Sequence, residues 1–534
     1  MDQGGGEFYQ FYWYDLDKGT ATLLTSGGET RQEYFLWANS GTRAVFSSTK
    51  RNGKDFDLYV MEGVNASSVR VLKQTEGKWG AIDWSPDDSQ FLVIHSVSIN
   101  ESYLYVADPK TGDMKEINPT GGTKKIYYGD ARFARDRKGI YYTSDEDNEF
   151  LRLTYHDLAT GKKDIVSSLS WDVKTVDVSN DGKWIAYGAN EGGISKLYLA
   201  RTSNITKPQQ LDLPVGVITS LKFDWLSTRL GFNLSSAQTP SDVFSIDLKS
   251  KKIARWTFSE IGGLNAEKFV SPKLIQYPTF DSVDGKPRLI PAFYYRPSGD
   301  SKKPFPVIIN IHGGPESQAV ATFNSTFQYW INELGAAVLV PNVRGSTGYG
   351  KSYAMLDNGM RREDSVKDIG KLLDWIASQP ELDAKRVAVY GGSYGGYMVL
   401  SSLFHFPDRI KCGVDSVGIS NFVTFLESTE DYRRDLRRPE YGDERDPKMR
   451  EFLIKISPTT NAAKIRSALL VVQGKNDPRV PITESEQMVK VIRKQGGKVW
   501  YLMAKDEGHG FAKRTNRDFL LNTVSLFLEE NLLK

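Results

Sequence analysis

The stretch Val387-Ala388-Val389-Tyr390-Gly391-Gly392-Ser393-Tyr394-Gly395 decides which fold this sequence predicts. Its first four residues form a short apolar run that is typical of a buried strand. The other five fit the pattern Gly-x-Ser-x-Gly, in which a strand enters a helix through a turn too tight for side chains on its flanks. Such a turn exposes the serine hydroxyl, so we predict Ser393 as a nucleophile. A glycine-rich turn with a bystander serine is the alternative.

Two later loops carry residues that would activate a serine. The apolar run 468–472 leads to Asp477, and the run 499–503 leads to His509, which is flanked by glycines. The chain order Ser393, Asp477, His509 is that of an α/β-hydrolase triad. In this chemistry the imidazole takes the hydroxyl proton, and the carboxylate fixes the histidine tautomer. A turn-capping Asp477 and a surface His509 are the alternatives.

Two other acidic residues, Asp506 and Glu507, compete with Asp477 as partners of the histidine. A carboxylate two or three residues from His509 cannot easily reach its Nδ1 atom while the ring faces Ser393. We therefore interpret Asp506 and Glu507 as solvated loop charges.

A second glycine turn supplies an oxyanion hole. The segment His312-Gly313-Gly314-Pro315 follows the apolar run 307–311, the position from which hydrolases of this kind draw a backbone donor. We predict the N–H groups of Gly314 and Tyr394 as the two donors. Loss of one such donor costs on the order of 3 kcal/mol of transition-state stabilisation. The alternative is a plain turn at the end of a strand.

The first half of the chain is repetitive. Short strands and tight turns recur at intervals of about 45 to 49 residues, the size of a four-stranded propeller blade. Five full repeats follow a half repeat. Such a ring is either closed by unusual pairing or continued by upstream residues of a longer form, and we favour the second explanation. A β-sandwich with long loops is the alternative fold.

The second half alternates apolar runs with helical spacings, such as that of Val366, Ile369, Leu373 and Ile376. Alternating strands and helices predict a mostly parallel sheet covered on both faces, with its ligand site beyond the carboxyl ends of the strands. We therefore predict two domains: an all-β propeller of about five and a half blades in residues 1–268, and an α/β-hydrolase domain in residues 269–534.

Composition argues against several functional classes. The 534 residues include 69 basic and 66 acidic side chains, and a net charge of +3 does not favour nucleic acid or an anionic membrane as a partner. The single cysteine, Cys412, excludes an internal disulfide, and we expect its side chain to be buried. Metal-ligand spacings and a phosphate loop do not occur, so the sequence predicts no metal and no other cofactor.

Targeting signals of the familiar kinds are also missing from the sequence. The first residues lack the basic and apolar regions of a signal peptide, and no apolar run is long enough for a transmembrane helix. We expect a cytoplasmic protein, unless a longer precursor carries a secretion signal upstream.

Five segments, in this order, resemble those of the prolyl oligopeptidase family of serine peptidases: His312–Pro315, Asn342–Gly350, Gly391–Tyr397, Gly474–Pro478 and Gly508–Gly510. The resemblance implies a propeller capping an α/β-hydrolase domain, an active site between them, and cleavage of short peptides rather than folded proteins. The form His-Gly-Gly-Pro is similar to that of acylaminoacyl peptidases. The repeats show no convincing paired-glutamate motif for a free N-terminal amine, which weakens a dipeptidyl peptidase interpretation. The chain therefore resembles most the acylaminoacyl peptidase and dipeptidyl aminopeptidase-like branch.

The same resemblance suggests substrate-binding residues. The segment 430–443 is similar to an insertion beside the family's substrate pocket, which implies Tyr432 as a pocket wall and Arg434 as a substrate anchor. Tyr397, at the end of the serine motif, is a third candidate. The alternative is that 430–443 is a solvated charged loop.

Three functional hypotheses follow. The first is a serine peptidase that hydrolyses short peptides through an acyl-enzyme, either acylaminoacyl peptidase-like or aminopeptidase-like, with a dipeptidyl peptidase as a variant. The second is a carboxylesterase with the same triad, because the triad acts on esters and amides alike. The third is a propeller-based binding scaffold with an inactive hydrolase half. The side-chain preference, exo- or endo-cleavage and assembly into a homo-oligomer stay open.

Overall fold

The computed structural model describes residues 2, 4–118, 122, 124–299 and 303–534. Its first part consists of antiparallel sheets, and its second part contains one large mixed sheet with helices. The predicted fold class, a β-propeller followed by an α/β-hydrolase domain, is confirmed.

The propeller begins with a two-stranded hairpin of β1 (Tyr12–Asp15) and β2 (Thr20–Leu23). Five four-stranded blades follow, each a meander of consecutive strands. Their strands are β3 (Gln32–Trp37), β4 (Arg43–Ser48), β5 (Asp57–Glu62) and β6 (Arg70–Lys73); β7 (Lys78–Trp84), β8 (Phe91–Ser98), β9 (Glu101–Ala107) and β10 (Met114–Glu116); β11 (Tyr128–Phe133), β12 (Gly139–Ser144), β13 (Arg152–Asp157) and β14 (Lys163–Ile165); β15 (Asp172–Val178), β16 (Trp184–Glu191), β17 (Ile194–Arg201) and β18 (Gln209–Leu211); and β19 (Val217–Phe223), β20 (Arg229–Ser235), β21 (Asp242–Asp247) and β22 (Ile253–Arg255). The half repeat and the five full repeats of the sequence thus correspond to the hairpin and the five blades.

Neighbouring blades are joined through their first strands. In three successive junctions, an aspartate on the first strand of one blade accepts a backbone N–H from the first strand of the next: Asp83 from Phe133 (2.8 Å), Asp130 from Val176 (3.0 Å) and Asp177 from Phe223 (2.7 Å). Each bond satisfies a backbone donor that the blade's own ladder leaves free, and so fixes the position of one blade against the next.

The second part is built on an eight-stranded sheet with the order β23-β24-β26-β25-β27-β28-β29-β30. Its strands are β23 (Lys273–Val283), β24 (Lys286–Tyr295), β25 (Phe305–Ile311), β26 (Ala337–Pro341), β27 (Leu382–Gly392), β28 (Cys412–Ser416), β29 (Ala468–Gly474) and β30 (Val499–Ala504). β24 runs antiparallel to both its neighbours, and all other pairs are parallel. β22 ends at Arg255 and β23 begins at Lys273, and a domain boundary between residues 268 and 269 stays our proposal.

Helices cover both faces of this sheet. They are α1 (Ser325–Asn332), α2 (Lys351–Ala354), α3 (Asp364–Ser378), α4 (Tyr394–His405), α5 (Phe422–Ser428), α6 (Asp431–Tyr441), α7 (Pro447–Ile456), α8 (Pro458–Asn461), α9 (Ile482–Lys494) and α10 (Arg514–Leu528), which a π-helical turn extends through Glu529–Leu533. Along β25, Val307 and Ile309 pack into the apolar cluster under α3 and α4, while Ile308 faces the cluster under α1 and α10. Because these strands are buried on both faces, their sequences are the continuous apolar runs noted above. Cys412 is fully buried, as expected.

The propeller contacts the hydrolase domain through loops at the carboxyl ends of the parallel strands and through α6. From the first blade, Arg31 donates to Tyr432 Oη (3.1 Å) and Lys54 forms an ion pair with Asp435 (3.0 Å). From the third blade, Asp145 forms an ion pair with Lys351 at 3.1 Å. The propeller therefore lies over the edge of the sheet at which ligand sites of such folds occur. Across the described ranges, no helix has the length and apolar character needed to cross a membrane.

Candidate active site

The turn between β27 and α4 holds Ser393 in a strained conformation, with φ 58° and ψ −124°. Glycines make this turn possible: a Cβ on Gly395 would lie 2.2 Å from Ile311 O, and one on Gly391 would lie 2.4 Å from Gly395 O. The Ser393 backbone N–H donates to Ser416 O on β28 at 2.9 Å. A strained serine between a strand and a helix has the backbone geometry expected of a nucleophile elbow, and its role as a nucleophile stays a prediction.

Asp477 and His509 are brought together. His509 Nδ1 lies 2.8 Å from Asp477 Oδ2, although the residues stand in loops after different strands, β29 and β30. The Asp477 carboxylate is itself fixed, because its Oδ1 accepts the backbone N–H groups of Arg479 (2.8 Å) and Val480 (3.0 Å). Its side chain is fully buried, so it can hold the imidazole in one tautomer and orientation.

In the part of the chain that the structure describes, Ser393 and His509 are not hydrogen-bonded to each other. Both side chains are partly exposed. Catalytic hydrogen bonds are often long in unliganded enzymes and tighten when substrate binds.

The two competing carboxylates have other partners. Asp506 is exposed and pairs with Lys513, as the sequence suggested. Glu507, in contrast, is buried, and its interpretation as a solvated charge is wrong. Its carboxylate accepts the backbone N–H groups of Ala512 and Lys513, both at 3.0 Å, and so fixes the loop that carries His509.

The glycine loop after β25 lies directly against the elbow. A Cβ on Gly313 would be 3.2 Å from Ser393 Cβ. Gly314 has φ +124°, a region that favours glycine, and its carbonyl accepts a hydrogen bond from Tyr441 Oη at 2.6 Å. Tyr394 is the first residue of α4, so its backbone N–H has no partner within the helix. The glycine loop that carries Gly314 and the helix start at Tyr394 therefore both lie next to Ser393.

His312 supports this loop from below. Its Nδ1 lies 2.8 Å from Gly313 O, and its Nε2 lies 2.9 Å from Ser346 Oγ. Burial lowers the pKa of His312, so the ring is neutral at neutral pH. It holds the loop rather than acting as a second proton-transfer group.

Residues 321–534 match the sequence profile of the prolyl oligopeptidase family. The chain carries a prolyl oligopeptidase family domain. It is 37% identical over 237 residues to dipeptidyl aminopeptidase BIII of Pseudoxanthomonas mexicana. The matched stretch covers 44% of this chain and 34% of that protein. It is 26% identical over 239 residues to the acylamino-acid-releasing enzyme of Sus scrofa, with coverage of 44% and 32%. The chain thus spans about a third of the length of these curated relatives.

Several solved structures share the fold of nearly the whole chain. A crystal structure of puromycin hydrolase has a TM-score of 0.86 at 20% identity and covers 98% of this chain and 83% of its own. The acylaminoacyl peptidase of Pyrococcus horikoshii has a TM-score of 0.74 at 19% identity, with coverage of 98% and 85%. At these identities the likeness establishes the architecture of propeller and hydrolase domain.

The three predicted pocket residues have different surroundings. Tyr432 lies at the domain interface, where Arg31 donates to its hydroxyl and Phe56 packs edge-on against its ring. Arg434 instead donates to the carbonyl groups of Glu427 and Thr429, both at 3.1 Å, and closes the turn between α5 and α6.

Tyr397 is fully buried and packs against Phe422, with 4.6 Å between the ring centroids. It is the fourth residue of α4, and this helix is buried along nearly its whole length, so the ring points into the core. Tyr397 therefore does not line a substrate surface.

Sequence reasoning missed a charged cluster beneath the oxyanion loop. Arg437 Nη1 lies 2.9 Å from Glu316 Oε2 and 3.4 Å from Glu440 Oε2. Burial alone would raise the pKa of Glu316, but the Arg437 guanidinium, a hydrogen bond with Glu440 and the nearby Arg362 together hold that pKa below its usual range. Burial, with the nearby Glu316 carboxylate, raises the pKa of Glu440 well above its usual range. We therefore assign the charge to Glu316 and a proton to Glu440.

A second missed element is the segment before β1. Asn476 donates to Gly4 O at 2.7 Å, and Glu7 pairs with both Arg479 (2.5 Å) and Arg31 (2.6 Å). This segment lies against the Asp477 loop although it is more than 460 residues away along the chain. No local pattern in the sequence signals such a contact. Within the part of the chain that the structure describes, no group of His, Cys, Asp or Glu side chains is arranged to hold a metal ion.

Proposed function

We propose that this chain is a serine peptidase that hydrolyses short peptides. The observation that carries the proposal is the 2.8 Å contact between His509 Nδ1 and Asp477 Oδ2, next to a strained serine turn. Membership of residues 321–534 in a family of peptidases supports it.

In the proposed reaction, Ser393 Oγ attacks the carbonyl carbon of the scissile bond while His509 Nε2 accepts the hydroxyl proton. The backbone N–H groups of Tyr394 and Gly314 stabilise the negative charge on the carbonyl oxygen. His509 then donates the proton to the leaving amine, and an acyl-enzyme forms on Ser393. Water, activated by His509, releases the acyl group and restores the serine. Asp477 keeps the imidazole oriented and stabilises its charged form throughout.

The domain interface supports short peptides as substrates. The elbow and the glycine loop lie at the edge of the sheet that the propeller covers, which limits access for folded proteins. Of the sequence-predicted pocket residues, we retain Tyr432 as a wall. We do not retain Arg434, which closes the turn between α5 and α6, or Tyr397, which is buried. Cytoplasmic location stays a proposal that rests on the sequence alone, and assembly into a homo-oligomer stays an open prediction.

Hydrolysis of matched peptide anilides tests the proposal, one series with a free N-terminal amine and one with an acetylated amine. Both are needed because the relatives include a dipeptidyl aminopeptidase and an acylamino-acid-releasing enzyme. We expect Ser393→Ala to lower kcat by roughly 10⁴-fold or more. Ser378→Ala, on an exposed serine at the end of α3, serves as the matched control and should keep full activity.

A fluorophosphonate probe gives an independent measurement. It should label the unchanged protein and the Ser378→Ala control but not Ser393→Ala. Cleavage of the anilides by Ser393→Ala at the rate of the unchanged protein would end the proposal. Turnover of acyl esters with none of peptide amides would favour the carboxylesterase hypothesis instead.

A further inference from the structure

Helix α6 carries four arginines, and three of them are paired. Arg434 forms an ion pair with Asp431, Arg437 with Glu316, and Arg438 with Glu444. The Arg433 backbone N–H donates to Glu430 O at 2.9 Å, but its guanidinium forms no ion pair and no hydrogen bond with any residue that the structure describes. In a helix so rich in carboxylate partners, an arginine left without one requires an explanation.

The position of Arg433 relates it to the active site. Residues four and eight positions further along α6 lie on the same helix face, and both contact the oxyanion loop. Arg437 bonds to Glu316, and Tyr441 Oη donates to Gly314 O at 2.6 Å. Arg433 thus continues, one turn earlier, the row of α6 side chains that faces this loop.

The other end of α6 is tied to the loop that carries Asp477. The Glu430 backbone N–H, just before the helix, donates to Pro478 O at 3.3 Å. Next to it, Arg479 gives its backbone N–H to Asp477 and its guanidinium to Glu7. Arg433 therefore lies between the two loops that form the proposed catalytic site.

The charges around Arg433 are mainly positive. Burial, followed by the nearby charges of Arg437 and Arg479, lowers the pKa of Arg433 to about 10, which leaves the side chain cationic at neutral pH. The guanidinium is half-buried. Arg437 and Arg479 are already engaged by Glu316 and Glu7. An anion beside Arg433 would relieve an unfavourable concentration of positive charge, and a planar guanidinium fits a carboxylate through two parallel hydrogen bonds.

We propose that Arg433 binds a carboxylate of the peptide substrate and makes the enzyme selective for peptides that carry one near the scissile bond. The carboxylate is either the free C-terminus of a short peptide or the side chain of an aspartate or glutamate. The inference rests on the proposed peptidase function and adds a substrate class to it.

Four peptides of one length test the inference, and they differ only at one residue and at the C-terminus. They are a neutral C-terminal amide with glutamine, its free acid, the amide with glutamate in place of glutamine, and the free acid with glutamate. The quantity compared is the ratio of kcat/KM for each anionic peptide to that for the neutral one. A charged hydrogen bond contributes about 1.5–3 kcal/mol, so we expect a ratio on the order of 10 or more. The peptide with the raised ratio identifies the source of the carboxylate.

Variants connect this ratio to one side chain. Arg433→Met should reduce it to about one, and Arg433→Lys should keep part of it, since lysine retains the charge but not the paired donors. Arg450→Met, which removes an arginine from an exposed ion pair with Glu427, is the matched control and should keep the full ratio. A ratio near one in the unchanged protein, or an undiminished ratio in Arg433→Met, would overturn the inference.

Equilibrium binding separates this inference from the proposed function. Titration calorimetry on Ser393→Ala requires no turnover, and the anionic peptide should bind on the order of 10-fold more tightly than the neutral one. The double variant Ser393→Ala, Arg433→Met should bind both equally. If no peptide is cleaved but this difference is found, the peptidase proposal fails and the carboxylate site stands; equal binding in the single variant overturns the site. The melting temperature of Arg433→Met should not fall, because the substitution removes an unpaired, half-buried charge.

Discussion

At the level of single residues, the hydrogen bond between Asp477 and His509 is the contact on which the proposed chemistry depends. Asp477 Oδ2 accepts from His509 Nδ1 at 2.8 Å, while its other oxygen is held by two backbone N–H groups. The substitution Asp477→Asn keeps the shape of the side chain, but the asparagine amide would stabilise the imidazole tautomer of His509 that cannot accept the serine proton. We expect kcat for peptide hydrolysis to fall about 10⁴-fold, with little change in melting temperature.

Glu507→Gln provides the comparison for this variant. Glu507 is buried in the same loop but bonds to Ala512 and Lys513 rather than to the imidazole. Its substitution should lower stability more than Asp477→Asn does and kcat far less. If kcat instead falls equally in both variants, Asp477 has no special role.

At the level of elements, α6 connects the propeller to the oxyanion loop through buried charges. Arg437 neutralises Glu316, whose side chain is only 5% exposed. Replacement of Arg437 by methionine leaves that carboxylate buried and unpaired. Breaking a buried pair from one side costs about 3–5 kcal/mol, so we expect a loss of stability of that order in urea unfolding.

The double variant Arg437→Met, Glu316→Gln should recover much of this loss, because the Glu316 site then carries no unpaired buried charge. Arg450→Met, which breaks an exposed pair with Glu427, should cost less than about 1 kcal/mol. Absence of any recovery in the double variant would show that Arg437 acts through packing rather than through its charge.

At the level of the whole molecule, the central sheet contains a buried acid that couples stability to pH. Asp415 ends β28 with a fully buried side chain, and a Cβ on either Gly396 or Gly418 would lie within 2.3 Å of its Oδ1. Burial raises the pKa of Asp415 to about 7. Since the folded state keeps a proton that the unfolded chain releases near pH 4, this group lowers stability as pH rises from about 4 to 7, by about 1.4 kcal/mol per pH unit.

We expect Asp415→Asn to remove this dependence, because asparagine imitates the protonated acid and cannot ionise. Its melting temperature should exceed that of the unchanged protein at pH 8, and the difference should shrink towards pH 5. Asp408→Asn, on an exposed aspartate paired with Arg466, should shift the melting temperature equally at both pH values. Parallel pH profiles for Asp415→Asn and the unchanged protein would contradict the assignment.

The amino-acid sequence was enough to predict the blade repeat, the order of strands and helices, and the loops in which Ser393, Asp477 and His509 stand. These follow from local signals, since hydrophobic periodicity and glycine turns act over a few residues. The surroundings of each side chain depend on the tertiary structure: Tyr397 is buried in the core, and within the described residues the Arg433 guanidinium has no hydrogen-bond or ion-pair partner. Likewise, the Glu7–Arg479 pair joins residues 472 positions apart. Such contacts depend on how distant segments pack, and no short stretch of sequence records that packing.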